Sequence, residues 1–136
     1  MELQSLVQKP APDFKTDALI GEDFKSISLS DFRGKWLCLF FYPLDFTFVC
    51  PTEITQFRDY LTQFKKAGAE VIGASVDSVH SHRRWIKDDL KDLGYPLLGD
   101  VTKRVARDYG ALLEDKGIAT RATYIIDPEG KLQYMG

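Results

Sequence analysis

The feature that most constrains the fold is a continuous apolar run from Leu37 to Tyr42. A strand with one face in water alternates apolar and polar residues, and this run does not alternate. Continuous apolar strands are typical of sheets whose two faces are both covered. The run therefore predicts a central strand of an α/β fold.

Helix and strand patterns alternate along the rest of the chain. Ile54, Phe57, Leu61 and Phe64 recur at spacings of three and four, as in an amphipathic helix that ends at Gly68. The other predicted elements are a hairpin over 14–29 that turns at Gly21 and Glu22, a strand over 71–76, a helix over 78–93, a short helix capped by Asp100 or Thr102 and ending at Gly110, and strands over 122–126 and 131–135. This order predicts a mixed central β-sheet flanked by helices, in one domain spanning residues 1–136.

Charge and composition exclude several classes of function. The 136 residues carry 18 basic and 20 acidic side chains, a net charge of −2, which lacks the basic surface of a nucleic-acid binder. Cys38, Cys50, His80 and His82 do not have the spacing of zinc ligands, and two cysteines cannot form a disulfide framework. We therefore expect no metal, no other cofactor and no nucleic acid, and a small or neutral substrate.

No segment has the pattern of a membrane span or a targeting sequence. The longest apolar run, Trp36 to Leu44, is too short to cross a bilayer. Residues 1–12 lack a basic stretch followed by an apolar one. The expected location is the cytoplasm, without membrane contact and with reduced thiols.

The chemistry is expected at Cys50, which lies between the central strand and the next helix. Pro51 fits the first helical turn because its missing N–H costs nothing there. It leaves Cys50 at the helix start, where unpaired backbone donors converge and stabilise a thiolate.

A helix start alone is too weak to make Cys50 reactive. Lowering a thiol pKa from about 8.5 to about 6 requires roughly 3.4 kcal/mol, whereas a helix terminus supplies only about 0.3–2 kcal/mol. Glu53, on the next turn, acts in the wrong direction unless it is itself paired. Our hypothesis is that Arg121 supplies the missing positive charge, because it begins a strand that can lie beside the central one.

At this point the sequence resembles a known family. Residues 40–53 are similar to the active-site signature of the typical two-cysteine peroxiredoxins, the thiol peroxidases that include alkyl hydroperoxide reductase. Further matches lie at 11–14, at 75–78 with Trp85, at 108–110 and at 121–130, so that the resemblance covers essentially the whole chain. It implies a thioredoxin-like fold and a thiol-dependent peroxidase that reduces hydrogen peroxide and organic hydroperoxides in antioxidant defence.

The resemblance also implies a role for each residue of the signature. Cys50 matches the peroxidatic cysteine, which attacks a peroxide oxygen and becomes a sulfenic acid, and Arg121 matches the family arginine. Thr47 matches a threonine whose hydroxyl binds the sulfur and the peroxide, and Pro43 matches a proline that shields the thiolate. Glu53 matches a glutamate that holds the arginine in place. Donors arranged in this way would stabilise the negative charge that develops on the leaving oxygen.

The sequence departs from the family pattern at its C-terminal side. In the typical two-cysteine class a resolving cysteine lies in a tail beyond the last strand, and the sequence stops at Gly136. We expect a C-terminally truncated family domain, or else a protein whose sulfenic acid is resolved by another thiol. A peroxide sensor or a chaperone-like interaction protein without efficient turnover stays open as the alternative.

The resemblance further implies partners. These are a hydroperoxide substrate and a thiol reductant, either thioredoxin or the flavoprotein partner of alkyl hydroperoxide reductase. The family forms homodimers through the edge of the last strand, and these dimers often assemble into decamers.

Several residues have simpler interpretations. Cys38 is expected to be an inert core thiol, Trp85 a packing residue, His80 and His82 capping or solvent-exposed residues near a helix start, and Phe57, Tyr60 and Phe64 core-facing aromatics. Gln56 excludes a cysteine phosphatase, which needs an arginine six residues after its nucleophile. Cys50 has no second cysteine three positions later, unlike the thioredoxin-type oxidoreductases.

Overall fold

The computed structural model describes residues 7–45, 50–90 and 93–136, without the side chains of 50–53 and 89–90. The helices are α1 (Cys50–Asp59), α2 (Leu61–Lys66), α3 (Val79–Trp85) and α4 (Arg104–Asp108), with a 3-10 turn at Leu29–Phe32 and a π-helical turn at Ile86–Leu90. The strands are β1 (Lys15–Ile20), β2 (Asp23–Ser28), β3 (Trp36–Phe41), β4 (Ala69–Ser75), β5 (Leu97–Gly99), β6 (Leu112–Leu113), β7 (Ile118–Ala119), β8 (Ala122–Ile126) and β9 (Leu132–Met135).

Seven of these strands form one sheet in the order β2-β1-β5-β4-β3-β8-β9. β4 runs parallel to both β3 and β5, and the other pairs are antiparallel. The predicted mixed central sheet is confirmed, and so is the hairpin, in which β1 and β2 pair on either side of Gly21 and Glu22.

β3 lies inside the sheet and is buried on both faces, as its apolar run predicts. Leu37, Leu39 and Phe41 belong to the core that α4 covers, whereas Cys38, Phe40 and Tyr42 belong to the core on the opposite face, under α1, α2 and α3. Because side chains alternate along a strand, a strand with two cores needs an apolar residue at each position.

The helices depart from the sequence prediction in detail. The single helix expected over 54–68 is divided into α1 and α2 at Tyr60, whose backbone angles are φ −100° and ψ 8°. The helix expected over 78–93 is α3 followed by a π-helical turn. β5 was not predicted, because three consecutive buried residues show no periodicity that distinguishes a strand from a helix.

Asp100 is the one of the two predicted capping residues that binds the start of α4. Its carboxylate accepts hydrogen bonds from the backbone N–H groups of Val105, at 3.1 Å, and Ala106, at 2.8 Å. These bonds satisfy amides that have no partner inside the helix and bind the end of β5 to α4. In the described part of the chain, no helix is long and apolar enough to cross a membrane.

Candidate active site

The end of β3 and the start of α1 bring Pro43, Arg121 and the backbone of Cys50 to one end of the sheet. β3 stops at Phe41, which pairs with Ala122 at the start of the antiparallel strand β8. Arg121 immediately precedes β8 and therefore lies at the end of the sheet where β3 stops. α1 begins at Cys50, as the Pro51 signal predicts.

The described side chains of the site lie just after β3 and just before β8. Pro43 is half-buried just after β3, and Arg121 is exposed. Arg121 lines the same groove as Gln56 and Phe57 of α1, so the arginine and the helix that begins at Cys50 are neighbours.

The other predicted site residues are only partly described. Thr47 lies outside the described residues. Cys50 and Glu53 are placed as backbone in the first turn of α1, and their side chains lie outside the description. Their contacts with Arg121 therefore stay predictions.

A buried polar cluster beside the site was not predicted from the sequence. The carboxylate of Asp45 accepts hydrogen bonds from the Tyr42 hydroxyl, at 2.7 Å, the Ser81 hydroxyl, at 2.8 Å, and Nδ1 of His82, at 2.8 Å. The backbone N–H of Asp45 donates to Oδ2 of Asp77, at 2.8 Å. Residues 42–45, which follow β3, are thus bound to α3 and to the residues just after β4 by side-chain hydrogen bonds.

His82 is the centre of this cluster, and its predicted exposure is wrong. It is fully buried, with Nε2 2.7 Å from the Leu98 carbonyl oxygen and Nδ1 2.8 Å from the Asp45 carboxylate. Each ring nitrogen therefore has an oxygen of another element within hydrogen-bond distance. The signal was present in the spacing, since Val79, His82 and Trp85 are the buried residues of α3 and recur every three positions.

Tyr42 keeps its proton in this cluster. Burial, followed by the nearby Asp45 carboxylate, raises the pKa of Tyr42 well above its usual value. The hydroxyl therefore stays protonated at neutral pH and donates to Asp45.

The core positions expected for Trp85 and Cys38 are confirmed. Trp85 is fully buried, with its ring 5.6 Å from that of Tyr42, and Cys38 is buried in β3. Burial raises the pKa of Cys38 to about 11, which keeps the thiol protonated at neutral pH. His80 is exposed, as expected. Its ring is in a T-shaped contact with the ring of Phe24, with the two centroids 4.8 Å apart.

The aromatic residues of α1 and α2 are only partly in the core. Phe57 stacks on Phe40 with ring centroids 4.3 Å apart, and Phe64 packs against the same core. Tyr60 is 57% exposed, so its predicted place in the core is wrong. The break between α1 and α2 falls at Tyr60, so the single helical register from which its position was predicted does not continue through it. All three side chains line the groove that Arg121 also lines.

Comparison with known proteins places this arrangement in a family. The model of the AhpC/TSA family matches residues 7–135. A chloroplastic 2-Cys peroxiredoxin of Spinacia oleracea is 51% identical over 135 residues, which are 95% of this chain and 51% of that protein. A mitochondrial thioredoxin-dependent peroxide reductase of Drosophila melanogaster is 52% identical over 132 residues, which are 93% of this chain and 56% of that protein.

A solved structure agrees with the sequence comparisons. The reduced 2-Cys peroxiredoxin of Plasmodium vivax is 40% identical and has a TM-score of 0.90, with 96% of this chain and 84% of that chain covered. The expected thioredoxin-like α/β fold is therefore confirmed. The chain spans about half the length of the two curated relatives. On the match over residues 7–135 and these identities, the chain belongs to the AhpC/TSA family.

Proposed function

We propose that this chain is a thiol-dependent peroxidase in which the Cys50 thiolate attacks the terminal oxygen of a hydroperoxide. The sulfur becomes a sulfenic acid, the O–O bond breaks, and the leaving oxygen departs as water or an alcohol after taking up a proton. Membership of the AhpC/TSA family supports this function. Relatives that are 51% and 52% identical in sequence are named peroxiredoxin and peroxide reductase, which also supports it.

The observation that carries the proposal is that Arg121 lines a groove beside α1, the helix that begins at Cys50. α1 begins at Cys50, and Arg121 precedes the strand that pairs with the end of β3 and lines a groove with α1. A guanidinium there supplies the charge that a helix start cannot, and it stabilises both the thiolate and the developing negative charge on the leaving oxygen.

The remaining residues of the signature are proposed to complete the site. Thr47 donates or accepts a hydrogen bond at the sulfur and the peroxide, Pro43 shields the thiolate from water, and Glu53 orients Arg121. Shielding strengthens these electrostatic contacts because it lowers the local dielectric.

The pH dependence of Cys50 alkylation tests the role of Arg121. We expect Arg121→Ala to raise the apparent pKa of Cys50 by one unit or more, because an opposite charge within about 4–6 Å shifts a pKa by about 1–3 units. The rate of iodoacetamide labelling at Cys50, followed by mass spectrometry between pH 5 and 9, measures it. Arg104→Ala, which removes an exposed arginine from α4, is the matched control. Identical apparent pKa values in all three proteins would remove Arg121 from this role.

Turnover tests the reaction itself. With dithiothreitol or thioredoxin as reductant, we expect steady consumption of hydrogen peroxide that Cys50→Ser abolishes and Cys38→Val leaves intact, since Cys38 is buried and protonated. A single stoichiometric burst in the wild type would favour the sensor or interaction protein instead. An intramolecular disulfide between the two cysteines would contradict the inert role of Cys38.

The partners are proposed from the same relatives. One relative is named for its dependence on thioredoxin, which supports thioredoxin as the reductant, with a flavoprotein as the other candidate. Dimer formation through β9 would use the part of its edge near Met135, because Gln8 and Lys9 already bind the backbone of Leu132. Location in the cytoplasm stays a prediction, since these relatives are chloroplastic and mitochondrial.

A further inference from the structure

The buried cluster around Asp45 connects α3 to the backbone that precedes Cys50. Asp45 is buried, follows β3 and lies five residues before Cys50 in the chain. Its Oδ2 atom is 2.8 Å from Nδ1 of His82 on α3, and Nε2 of the same ring is 2.7 Å from the Leu98 carbonyl oxygen on β5. The His82 ring therefore joins the interior of the sheet to the segment that leads to the proposed site.

Pro43 lies in the short stretch that the cluster holds at both ends. Before it, the backbone N–H of Tyr42 donates to the Ala74 carbonyl oxygen of β4 at 3.0 Å. After it, the backbone N–H of Asp45 donates to Oδ2 of Asp77 at 2.8 Å, and the Asp45 carboxylate accepts from the Tyr42 hydroxyl at 2.7 Å. Since the ring of a proline also fixes its own φ, little freedom remains for Pro43 once Asp45 is held.

The place of Pro43 matters to the proposed reaction. Pro43 is the residue proposed to shield the Cys50 thiolate from water, and electrostatic contacts at the sulfur are stronger where water is excluded. A displacement of about 1 Å in a reaction site can lower a rate by about 100-fold. Side chains that hold this backbone in place can therefore control the rate of the reaction without touching the peroxide.

We propose that His82 is a positioning residue for the reaction of Cys50 with hydroperoxides, acting through Asp45 on the backbone that carries Pro43. This inference rests on the proposed peroxidase function and adds to it a residue outside the signature at 40–53. The two ring nitrogens of His82 have separate partners, Asp45 and the Leu98 carbonyl. The contact with Asp45 is the one that controls the rate.

Two amide variants separate the two contacts of the His82 ring. The amide nitrogen of an asparagine lies close to the place of Nδ1, and that of a glutamine, which is one methylene longer, lies close to the place of Nε2. His82→Asn therefore keeps a donor towards Asp45, whereas His82→Gln keeps one towards Leu98. We expect His82→Gln to lower the second-order rate constant for oxidation of Cys50 by hydrogen peroxide about 10–100-fold, and His82→Asn to keep it within about threefold of wild type.

The rate constant is measured in a single turnover, by competition with a haem peroxidase for hydrogen peroxide, so that no reductant is needed. Each protein is measured under conditions in which urea unfolding shows it to be fully folded. His80→Asn and His80→Gln are the matched controls, since His80 is exposed on the same helix. Both controls should react like wild type.

A purely structural role for His82 predicts a different result. Both His82 variants would then lose free energy of unfolding, and their rate constants in the folded state would equal that of wild type. Equal rate constants in wild type and the two His82 variants would therefore overturn the inference. A loss in His82→Asn as large as that in His82→Gln would also overturn it, because the contact with Asp45 would not restore the rate.

Ser81→Ala provides a second test if the His82 variants do not fold. It removes a hydroxyl that donates to the Asp45 carboxylate at 2.8 Å and leaves the His82 ring in place. We expect the rate constant to fall about threefold or more, because Asp45 is held by fewer bonds. Ser26→Ala, which removes an exposed hydroxyl from β2, is its control. An unchanged rate constant in Ser81→Ala would count against positioning through Asp45 and overturn the inference.

Two outcomes separate this inference from the proposed function. If Cys50 of the wild type is oxidised and both His82 variants react equally fast, the positioning role is overturned and the peroxidase is left intact. If mass spectrometry of the peroxide-treated wild type shows no oxidation at Cys50, both are overturned.

Discussion

Cys38 and Cys50 are identical thiols that the chain places in different surroundings. Cys38 lies in the middle of β3 under the helices, and burial favours its neutral form. Cys50 begins α1, where helix amides favour the ionised form. The proposed reactivity of Cys50 therefore follows from its backbone position rather than from the chemistry of its thiol.

The raised pKa of Cys38 makes a prediction about alkaline stability. Because its pKa is about 11 in the folded protein and about 9 in the unfolded chain, the thiol's contribution is complete below pH 9 and is lost as pH rises towards 11. We expect wild type to lose about 2 kcal/mol more than Cys38→Val between pH 8 and pH 11. Urea unfolding across this range measures the difference. The same pH dependence in both proteins would contradict it.

At the scale of elements, the packing of β3, β4 and β5 depends on a glycine between two large side chains. Gly73 of β4 pairs with Phe40 on one side and with Leu97 on the other. A Cβ atom at this position would lie 2.6 Å from Cζ of Phe40 and 2.8 Å from Cδ2 of Leu97. The missing side chain therefore gives Phe40 the space in which it stacks on Phe57 of α1.

A substitution at Gly73 tests this packing. We expect Gly73→Ala to lower the free energy of unfolding by about 1–3 kcal/mol, the usual cost of adding an atom to a filled core. Phe40→Leu removes the closest atom, so the double variant should lose less than the sum of the two single losses. Thermal or urea unfolding of the four proteins measures this coupling. Strictly additive losses would show that the ring of Phe40 is not what Gly73 accommodates.

At the scale of the whole molecule, the buried cluster around Asp45 and His82 joins parts that are distant in sequence. Asp45 follows β3, His82 belongs to α3, and the Leu98 carbonyl that accepts from His82 belongs to β5. The polar side chains of the cluster are hydrogen-bonded to one another or to the backbone, which is the condition under which polar groups are tolerated in a protein interior. The cluster therefore fixes the start of the segment that leads to Cys50.

Breaking the buried Asp45–His82 pair is expected to lower the free energy of unfolding far more than breaking an exposed pair. Asp45→Ala removes the common acceptor of the Tyr42 hydroxyl, the Ser81 hydroxyl and the His82 ring, so we expect a loss of about 3–5 kcal/mol in unfolding free energy. Lys35→Ala, which removes the exposed pair with Glu70 at 3.2 Å, should cost less than about 1 kcal/mol. Urea unfolding of both variants at pH 7 provides the comparison. Similar losses in both would show that the buried pair contributes no more than a surface contact.

The sequence by itself determined the features that depend on neighbouring residues. The apolar run of β3, the turn at Gly21 and Glu22, and the helix start at Cys50 and Pro51 are local patterns, and each is present where it was predicted. The signature around Cys50 determined the family in the same way. Local periodicity and turn chemistry act over a few residues, and a sequence records them directly.

Tertiary structure alone decided the contacts between distant segments. His82 is buried because Asp45, 37 residues away, and the Leu98 carbonyl face its two nitrogens, and no local pattern specifies such partners. β5 is a strand because β1 and β4 pair with its edges, and Tyr60 is exposed because α1 and α2 divide there. Burial and hydrogen bonding depend on what packs against a residue, and that is settled only when the whole chain has folded.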